Sequence, residues 1–496
     1  MARAFLFQEI GTPAFPSLQV ILMTLVNFSR RPGLQRFACS STGSILLATA
    51  LLLACQSSLS AAEPNAGELT DSGKATWREI LQSRQWKVPA DPDPLGEVVW
   101  RKDLSAAMKE AKETGKPLLV TWRCLPCEQC AEFDEEILEG SLTLNPLLRR
   151  FVTVRLTDAS LLDERYFPYK THQDLDLSWW AYFLSEQGDL YGVFGGKDHV
   201  SENTRISEEA FINNLVRILK HHYNPGRQSW KIDLPVGHAS QVATGPKDSQ
   251  GYTLLKAERP GLGKPHKEFG SCIHCHQVGD MLNMEAMQSD TFDVRTLTDK
   301  WPLPENVGLL LERDHGLLVK QVAAGSPADR AGLKPGDELL MAENTKLFGQ
   351  ADFRGVLHRA SHGADQVDLA WRRGQDVQFA TLEVAPGWRK TKSYWRKTVY
   401  DGVYGPTMGF FPLRGPKAGK GQGLSIKPWM GPKPAERPVY GTGLRPNMEI
   451  IAINGMGKDL DARKLITWFR LNHKPGDEVT YTVRGGKEFR FVLPKP

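Results

Sequence analysis

Apolar positions along the chain change period several times, and each change predicts an element. Residues 104–114 carry them at helical spacing, and Lys116-Pro117 then leads into Leu118-Leu119-Val120-Thr121-Trp122, a short continuous apolar run that predicts a buried strand. Residues 131–138 (AEFDEEIL) have a helical pattern and Phe151 to Leu156 a strand pattern. Trp180 to Leu184 and Tyr191 to Phe194 predict two strands joined around Gln187-Gly188. Phe211 to His222 predicts an amphipathic helix that closes this region. From 223 to 270 the chain is rich in Pro, Gly, Lys and Ser with little periodicity, which predicts a linker.

After Trp301-Pro302-Leu303-Pro304 one pattern occurs twice, an internal repeat of arrangement rather than of identity. In the first copy a strand begins at Val307-Gly308-Leu309-Leu310-Leu311, a second runs from Leu317 to Val322, and GSPADRAGLKPGDELL follows. The second copy offers Gly409-Phe410-Phe411, then Gly423-Leu424-Ser425-Ile426, then TGLRPNMEIIAINGM and a helix from Ala462 to Asn472.

A chain of 496 residues predicts about three domains. With 41% hydrophobic and 24% charged residues it has the composition of globular domains, which excludes wholesale disorder or an integral membrane fold. A net charge of +5 leaves no nucleic-acid footprint. The basic, aromatic run Trp388 to Lys397 (WRKTKSYWRK) is read as a solvated strand edge or linker.

Composition becomes informative near the N-terminus. Arg30, Arg31 and Arg36 precede the apolar run Ser44 to Cys55, and small residues around Ser60-Ala61-Ala62 follow it. This is the layout of an export signal, and the run is shorter than the roughly 20 apolar residues a membrane span needs. Residues 1–62 are therefore expected to be an export region and the mature chain to lie in the periplasm or cell envelope. Leu52-Leu53-Ala54-Cys55 also resembles a lipoprotein box in which Cys55 would carry a lipid anchor.

Of seven cysteines, Cys39 and Cys55 belong to that region, and the other five form two clusters: Cys124, Cys127, Cys130, and Cys272, Cys275. Tight clusters and an odd number in an oxidising compartment argue for chemistry rather than a disulfide framework. In the first cluster a strand ends in cysteines that open a helix, where backbone N–H groups and the helix dipole favour the thiolate. The segment from 75 to 222 resembles the thioredoxin superfamily, in particular exported bacterial thioredoxin-like domains with a Lys-Pro, strand, Cys-x-x-Cys, helix start. That resemblance implies Cys127 as nucleophile, Cys130 as resolving thiol and Cys124 as an extra, alternative partner. The family's proline before the substrate-facing strand is absent from Asp176-Leu177-Ser178-Trp179-Trp180, so either substrate docking is expected to differ or exchange activity to be lost. A structural disulfide or a three-thiolate metal site is the other reading of this cluster.

Cys272-Ile273-His274-Cys275-His276 is a Cys-x-x-Cys-His sequence, the attachment motif of c-type haem. Two thiols add to the haem vinyl groups and the adjacent histidine reaches the iron. The resemblance implies Cys272 and Cys275 as thioether positions and His276 as proximal ligand. The segment is too short for a complete cytochrome domain, so a sixth ligand would come from nearby: Met281, Met284, Met287, His266 or His274. Zinc or copper held by the two thiolates and His276 is the alternative.

The string Gly325-Ser326-Pro327-Ala328, Ala331-Gly332-Leu333, Pro335-Gly336-Asp337 resembles bacterial periplasmic PDZ domains, and the second copy keeps Gly443-Leu444 and Ile453-Asn454-Gly455. PDZ domains add a peptide as a strand at a sheet edge and receive its carboxylate on a glycine-containing loop. The resemblance implies Val307, Gly308, Leu309 and Leu310 as the peptide-binding stretch, with protein or peptide tails as partners. No Gly-x-Ser-x-Gly or other nucleophile motif accompanies it, which speaks against a protease.

The expected fold class is multidomain α/β plus α+β: a thioredoxin-like α/β domain (75–222), a linker (223–300) holding the haem-attachment segment (270–290), and two PDZ-like partial β-barrel domains (301–386 and 400–496). The whole arrangement resembles fusions of these parts found in environmental bacteria such as planctomycetes. It implies an envelope redox protein, a thiol-disulfide oxidoreductase or electron-transfer protein that recruits partners through its PDZ pair. A non-catalytic scaffold or a haem or metal sensor with structural cysteines is the other expectation.

Overall fold

In the computed structural model, residues 88–90, 96–123, 133, 138–139, 141, 143–177, 179–201, 204–234, 244–259, 261–263, 273–360, 363, 366–401, 406–412, 425–429, 438–457 and 460–494 are described. The first helix, α1 (Leu104–Thr114), starts where the Asp103 side chain accepts the Ala106 N–H and stops at Gly115, which adopts φ 65°. Ala107, Met108 and Ala111 give it one buried face. Lys116-Pro117 then delivers β1 (Leu118–Arg123), which is flanked by β2 (Val152–Leu156) in parallel and by β3 (Trp179–Leu184) in antiparallel. The edge strand β4 (Leu190–Phe194) pairs with β3, giving the order β2-β1-β3-β4.

The alternation of side chains along β1 splits the core into two layers. Leu118, Val120 and Trp122 enter one, and Leu119 enters the other beneath α2 (Glu208–His222), whose Phe211, Leu215, Ile218 and Leu219 face the sheet. Phe133 and Leu138, from the stretch expected to be helical, are buried in this second layer.

The stretch from 223 to 270, expected as a linker, carries α3 (Gln250–Glu258), which packs along α4 (Cys275–Gln288). Ser249 caps α3 by accepting the Tyr252 N–H, and Gly251 sits so close to α4 that a Cβ there would collide with the Met281 carbonyl. Both helices complete the first core layer through Leu255, Val278 and Met281.

The first repeat comprises β5 (Leu309–Leu311), β6 (Val319–Val322), β7 (Glu338–Ala342), β8 (Thr345–Lys346), α5 (Gln350–Arg359), β9 (Gln366–Arg373) and β10 (Asp376–Glu383). Its sheets are β5-β6 and β10-β9-β7-β8, closed over a core containing Phe353, Val356 and Leu357 of α5. The second repeat has the short strands β11 (Phe411–Pro412) and β12 (Pro428–Trp429), then β13 (Ile450–Ile453), α6 (Ala462–Asn472), β14 (Glu478–Val483) and β15 (Glu488–Val492). These folds agree with a thioredoxin-like α/β domain followed by PDZ-like domains.

The run 388–397 joins the two repeats as a linker, with Lys390, Lys392 and Lys397 exposed, but it is not solvated throughout. Arg396 is 1% exposed and its guanidinium reaches Asp174 at 2.7 Å and Asp176 at 3.2 Å, in the loop that precedes β3. The reason is long-range. Two carboxylates buried in that loop require cations, and Arg396 and Lys300 supply them.

Among the described residues no helix is long and apolar enough to cross a membrane. Residues 1–62, with Cys55, lie outside the described residues.

Candidate functional site

Because β1 and β2 run parallel, Arg123 and Leu156 finish at the same end of the sheet, where Trp122 lies opposite both Leu156 and Trp180. The chain continues from Arg123 into Cys124; Cys124, Cys127 and Cys130 lie outside the described residues, as do Cys272 and His266. The turn that leaves β2 lies within them, and it holds the second cysteine segment. Asp158 accepts the Ile273 N–H at 3.2 Å, and the Ala159 N–H donates to the Ile273 carbonyl at 3.1 Å. Ile273 is buried in the core of the thioredoxin-like domain.

Helix α4 starts at Cys275. Its N-cap, His274, donates its backbone N–H to Gln277 Oε1 at 2.8 Å, while the Gln277 N–H returns to the His274 carbonyl. The Cys275 sulfur receives the Gln173 amide at 3.6 Å, and Gln173 in turn accepts the Tyr182 hydroxyl at 2.9 Å. Burial, then the nearby Cys275 and Tyr169, push the Tyr182 phenol well above its ordinary range, so it stays a donor. The motif cysteine is thereby tied to β3.

The His276 ring lies parallel to His274, 5.5 Å apart at 3°. Burial, with Lys397 and His274 adding to it, pushes His276 down to about 3. It is therefore neutral at ordinary pH, the form in which imidazole binds metals. Asp280, one turn further on, is pushed up to about 8 by burial and holds an Oδ1 with no hydrogen-bond partner among the described residues.

The candidate methionines separate. Met281 is buried in the first core layer, Met284 is half-buried between that layer and a small cluster with Leu297 and Val399, and Met287 packs only in the small cluster. Among the described residues no group of three or more His, Cys, Asp or Glu could hold a metal ion. The donor set nonetheless suits covalent haem attachment: Cys275 is anchored at a helix start, and the neighbouring neutral His276 makes no hydrogen bond among the described residues. Gln173, Tyr182, Asp158 and Asp280 were not singled out in the sequence, where only their spatial neighbourhood gives them a role.

In the first PDZ-like copy Val307 and Leu309 are fully buried, whereas Leu310 is 36% exposed on β5. Gly308 has φ 89°, its N–H donates to the Glu305 carbonyl at 3.1 Å, and a Cβ there would collide with Ser326. In the second copy Gly409 occupies the corresponding place with φ 76°, and Phe411 is 46% exposed. A cleft of about 490 Å³ opens beside that loop, between Pro406, the end of α6 at Arg470 and His473, and Met287 of α4. Helix α5 is covered along residues 350–357 because it also faces the thioredoxin-like domain: Asp352 accepts the Val193 N–H, and Gly355 faces Trp301.

Two family models match the chain. Residues 99–175 match a family described as thioredoxin-like, and residues 293–384 match the PDZ domain family. The chain is also similar to a probable periplasmic serine endoprotease DegP-like from Hahella chejuensis, 34% identical over 70 residues, which are 14% of this chain. The match spans 15% of that relative's length. The chain thus carries a thioredoxin-like domain followed by a PDZ domain, a combination of a redox fold with a peptide- or protein-binding module.

Proposed function

We propose that this is a cell-envelope redox protein in which thiol–disulfide exchange at Cys127 and Cys130 is paired with electron transfer through a c-type haem on Cys272, Cys275 and His276, and in which the PDZ domains recruit the partner. The observation that carries the reading is the docking of Ile273, between the two motif cysteines, on Asp158 and Ala159. These residues leave β2 at the end of the sheet where β1 hands the chain on to Cys124. Arg123, just before Cys124 in the chain, and Ile273, just after Cys272, therefore stand at one end of one domain.

In the exchange step a partner disulfide accepts two electrons and two protons as Cys127 and Cys130 become joined, or the reverse. A covalently bound haem supplies a one-electron carrier when present. The chain's own part is to hold Cys275 against Gln173, to keep His276 neutral, and to leave its imidazole without a hydrogen bond among the described residues. The envelope location draws on the export-signal layout and on the periplasmic relative, and a lipid anchor at Cys55 belongs to the same proposal.

The test is expression with a haem-attachment system. Haem is expected to remain on the chain in a denaturing gel, to be lost in Cys272→Ser/Cys275→Ser, and to change its visible spectrum in His276→Ala. A colourless protein that copurifies with zinc or copper would assign the cluster to a metal. The thiol arm is separate: Cys130→Ser is expected to trap mixed disulfides and Cys127→Ser to trap none. A chain that traps none in either variant is a scaffold, the reading favoured by the sealing of Asp174 and Asp176 beneath Arg396.

A further inference from the structure

A cavity of about 430 Å³ lies where the loop before β3, the middle of α4 and the C-terminal end of α5 meet. Its size is that of small-molecule sites, roughly 300–1,000 Å³. Six charged side chains line it, and most are matched. Lys170 pairs with Glu164 at 2.7 Å and Lys300 with Asp176 at 3.0 Å. Asp174 pairs with Arg396 at 2.7 Å, and Asp299 accepts the Thr298 hydroxyl at 2.7 Å.

Two guanidinium groups remain. Arg389 reaches the carbonyls of Leu357, His358 and Ala360, which quenches the negative end of α5, and its buried Nε–H has no partner among the described residues. Arg359 has no carboxylate, carbonyl or hydroxyl partner among the described residues, although it is largely withdrawn from water. The surplus positive potential is visible on its neighbours. Beyond the effect of burial, Arg389 and Arg359 push His358 down, and Arg359 pushes down His172. The charges that oppose the two arginines act only through space, Asp352 on Arg359 and Asp299, on the cavity wall, on Arg389. A desolvated guanidinium with no carboxylate in direct contact is costly, and a bidentate oxyanion is the group that best relieves it.

We propose that this cavity is a binding site for the oxyanion of a small molecule, a carboxylate or phosphate held by Arg359 and Arg389, with its apolar body against Gly279, Leu282 and Ala286 of α4. That face of α4 begins at Cys275, and Gln173 both lines the cavity and touches the Cys275 sulfur. The oxyanion has two available sources: the propionates of a haem attached at Cys275, or a free anionic molecule. The site itself stands on the arginines and does not depend on haem.

The experiment uses the full chain prepared without haem-attachment machinery, titrated with inorganic phosphate against chloride at constant ionic strength while thermal unfolding is followed. The midpoint is expected to rise with phosphate, and Arg359→Gln is expected to raise the half-saturating concentration at least tenfold. If that variant does not fold, Arg359→Lys, which keeps the charge but not the two-pronged geometry, is read instead with the same expectation. A phosphate effect that is absent, or equal in the wild type and in the folded variant, overturns the proposal. Repeating the titration on haem-loaded chain separates the sources: loss of the phosphate effect on loading assigns the site to the propionates, and its persistence assigns it to a free anion.

Discussion

Asp352, on α5 of the PDZ domain, accepts the backbone N–H of Val193, on the edge strand of the thioredoxin-like domain, at 2.8 Å. Its other oxygen takes the N–H groups of Phe348 and Gly349, both at 2.9 Å. One carboxylate thus fixes the start of the PDZ helix and covers an exposed strand edge of its neighbour. Asp352→Ala leaves three buried donors unmatched, each costing about 1–3 kcal/mol. The expected loss exceeds about 3 kcal/mol in urea unfolding. Loss of less than about 1 kcal/mol would mean that water replaces the carboxylate.

The loop before β3 gives a second prediction. Burial alone would raise the Asp176 carboxyl, but Lys300, Arg396 and the Thr398 N–H hold it well below the usual carboxylate range. Asp176→Asn strands Lys300 in a dry site and leaves Arg396 to Asp174 alone, and breaking such a pair costs about 3–5 kcal/mol. Denaturant unfolding checks the value, and a neutral result would show that water reaches the loop.

His221 predicts a pH dependence. Lysine can only donate and carboxylate only accept, so Lys346 Nζ donates to His221 Nδ1 at 3.2 Å and His221 Nε2 donates to Asp233 at 2.6 Å. That arrangement is the neutral imidazole. Burial first, then Lys346, push His221 down to about 4 despite the aspartate. A histidine depressed in the folded state contributes stability above its unfolded value near 6.5, and loses it as pH falls from there toward 4. At about 1.4 kcal/mol per pH unit the loss approaches about 3 kcal/mol. The wild type should lose this amount relative to His221→Gln between pH 7 and pH 4; parallel profiles would refute the assignment.

Gly251 predicts a packing effect. A Cβ there meets the Met281 carbonyl, so Gly251→Ala must part α3 from α4, at a cost of about 1–3 kcal/mol for overpacking. Hydrogen exchange should rise at the start of α4 ahead of the sheet. Unchanged exchange there would show that the helix bearing Cys275 is held by Ile273 alone.

Peptide capture can be assigned to one copy. Leu310→Glu and Phe411→Glu alter exposed strand positions with little expected effect on stability, within about 0.5 kcal/mol. Titration with peptides ending in an apolar residue should weaken at least tenfold in one of them. Phe411→Glu is the expected one, because Phe411 is the more exposed of the two and α5 of the first copy is covered. Binding indifferent to both would remove the recruiting role.

What the sequence made legible was local. Helix α1 has the predicted limits because an Asp103 cap, a single period and Gly115 all lie within a few residues. Strand β1 extends one residue past the predicted run, to Arg123. Cys275 and His276 were singled out by spacing alone, and the structure adds that they open α4. Helix α3 was hidden in a Pro- and Gly-rich stretch, since its support is a glycine contact with a helix about 30 residues later. Gln173 and Tyr182 were equally hidden, because Gln173 meets Cys275 across 102 positions. Arg396 was misread for a related reason: a basic, aromatic composition looks solvated until the two distant carboxylates are in view.

The same arginine sets an order of assembly. Thr398 donates to Asp176 across 222 positions, and Arg396 reaches Asp174 across as many. Contacts so distant are made late, because the loop that joins them must close first. A chain synthesised or threaded through a membrane from its N-terminus presents the thioredoxin-like domain first and the residues that seal it only after the whole first PDZ domain has emerged. The earliest domain to appear is finished only after the first PDZ domain, and for that interval the loop before β3 stands open.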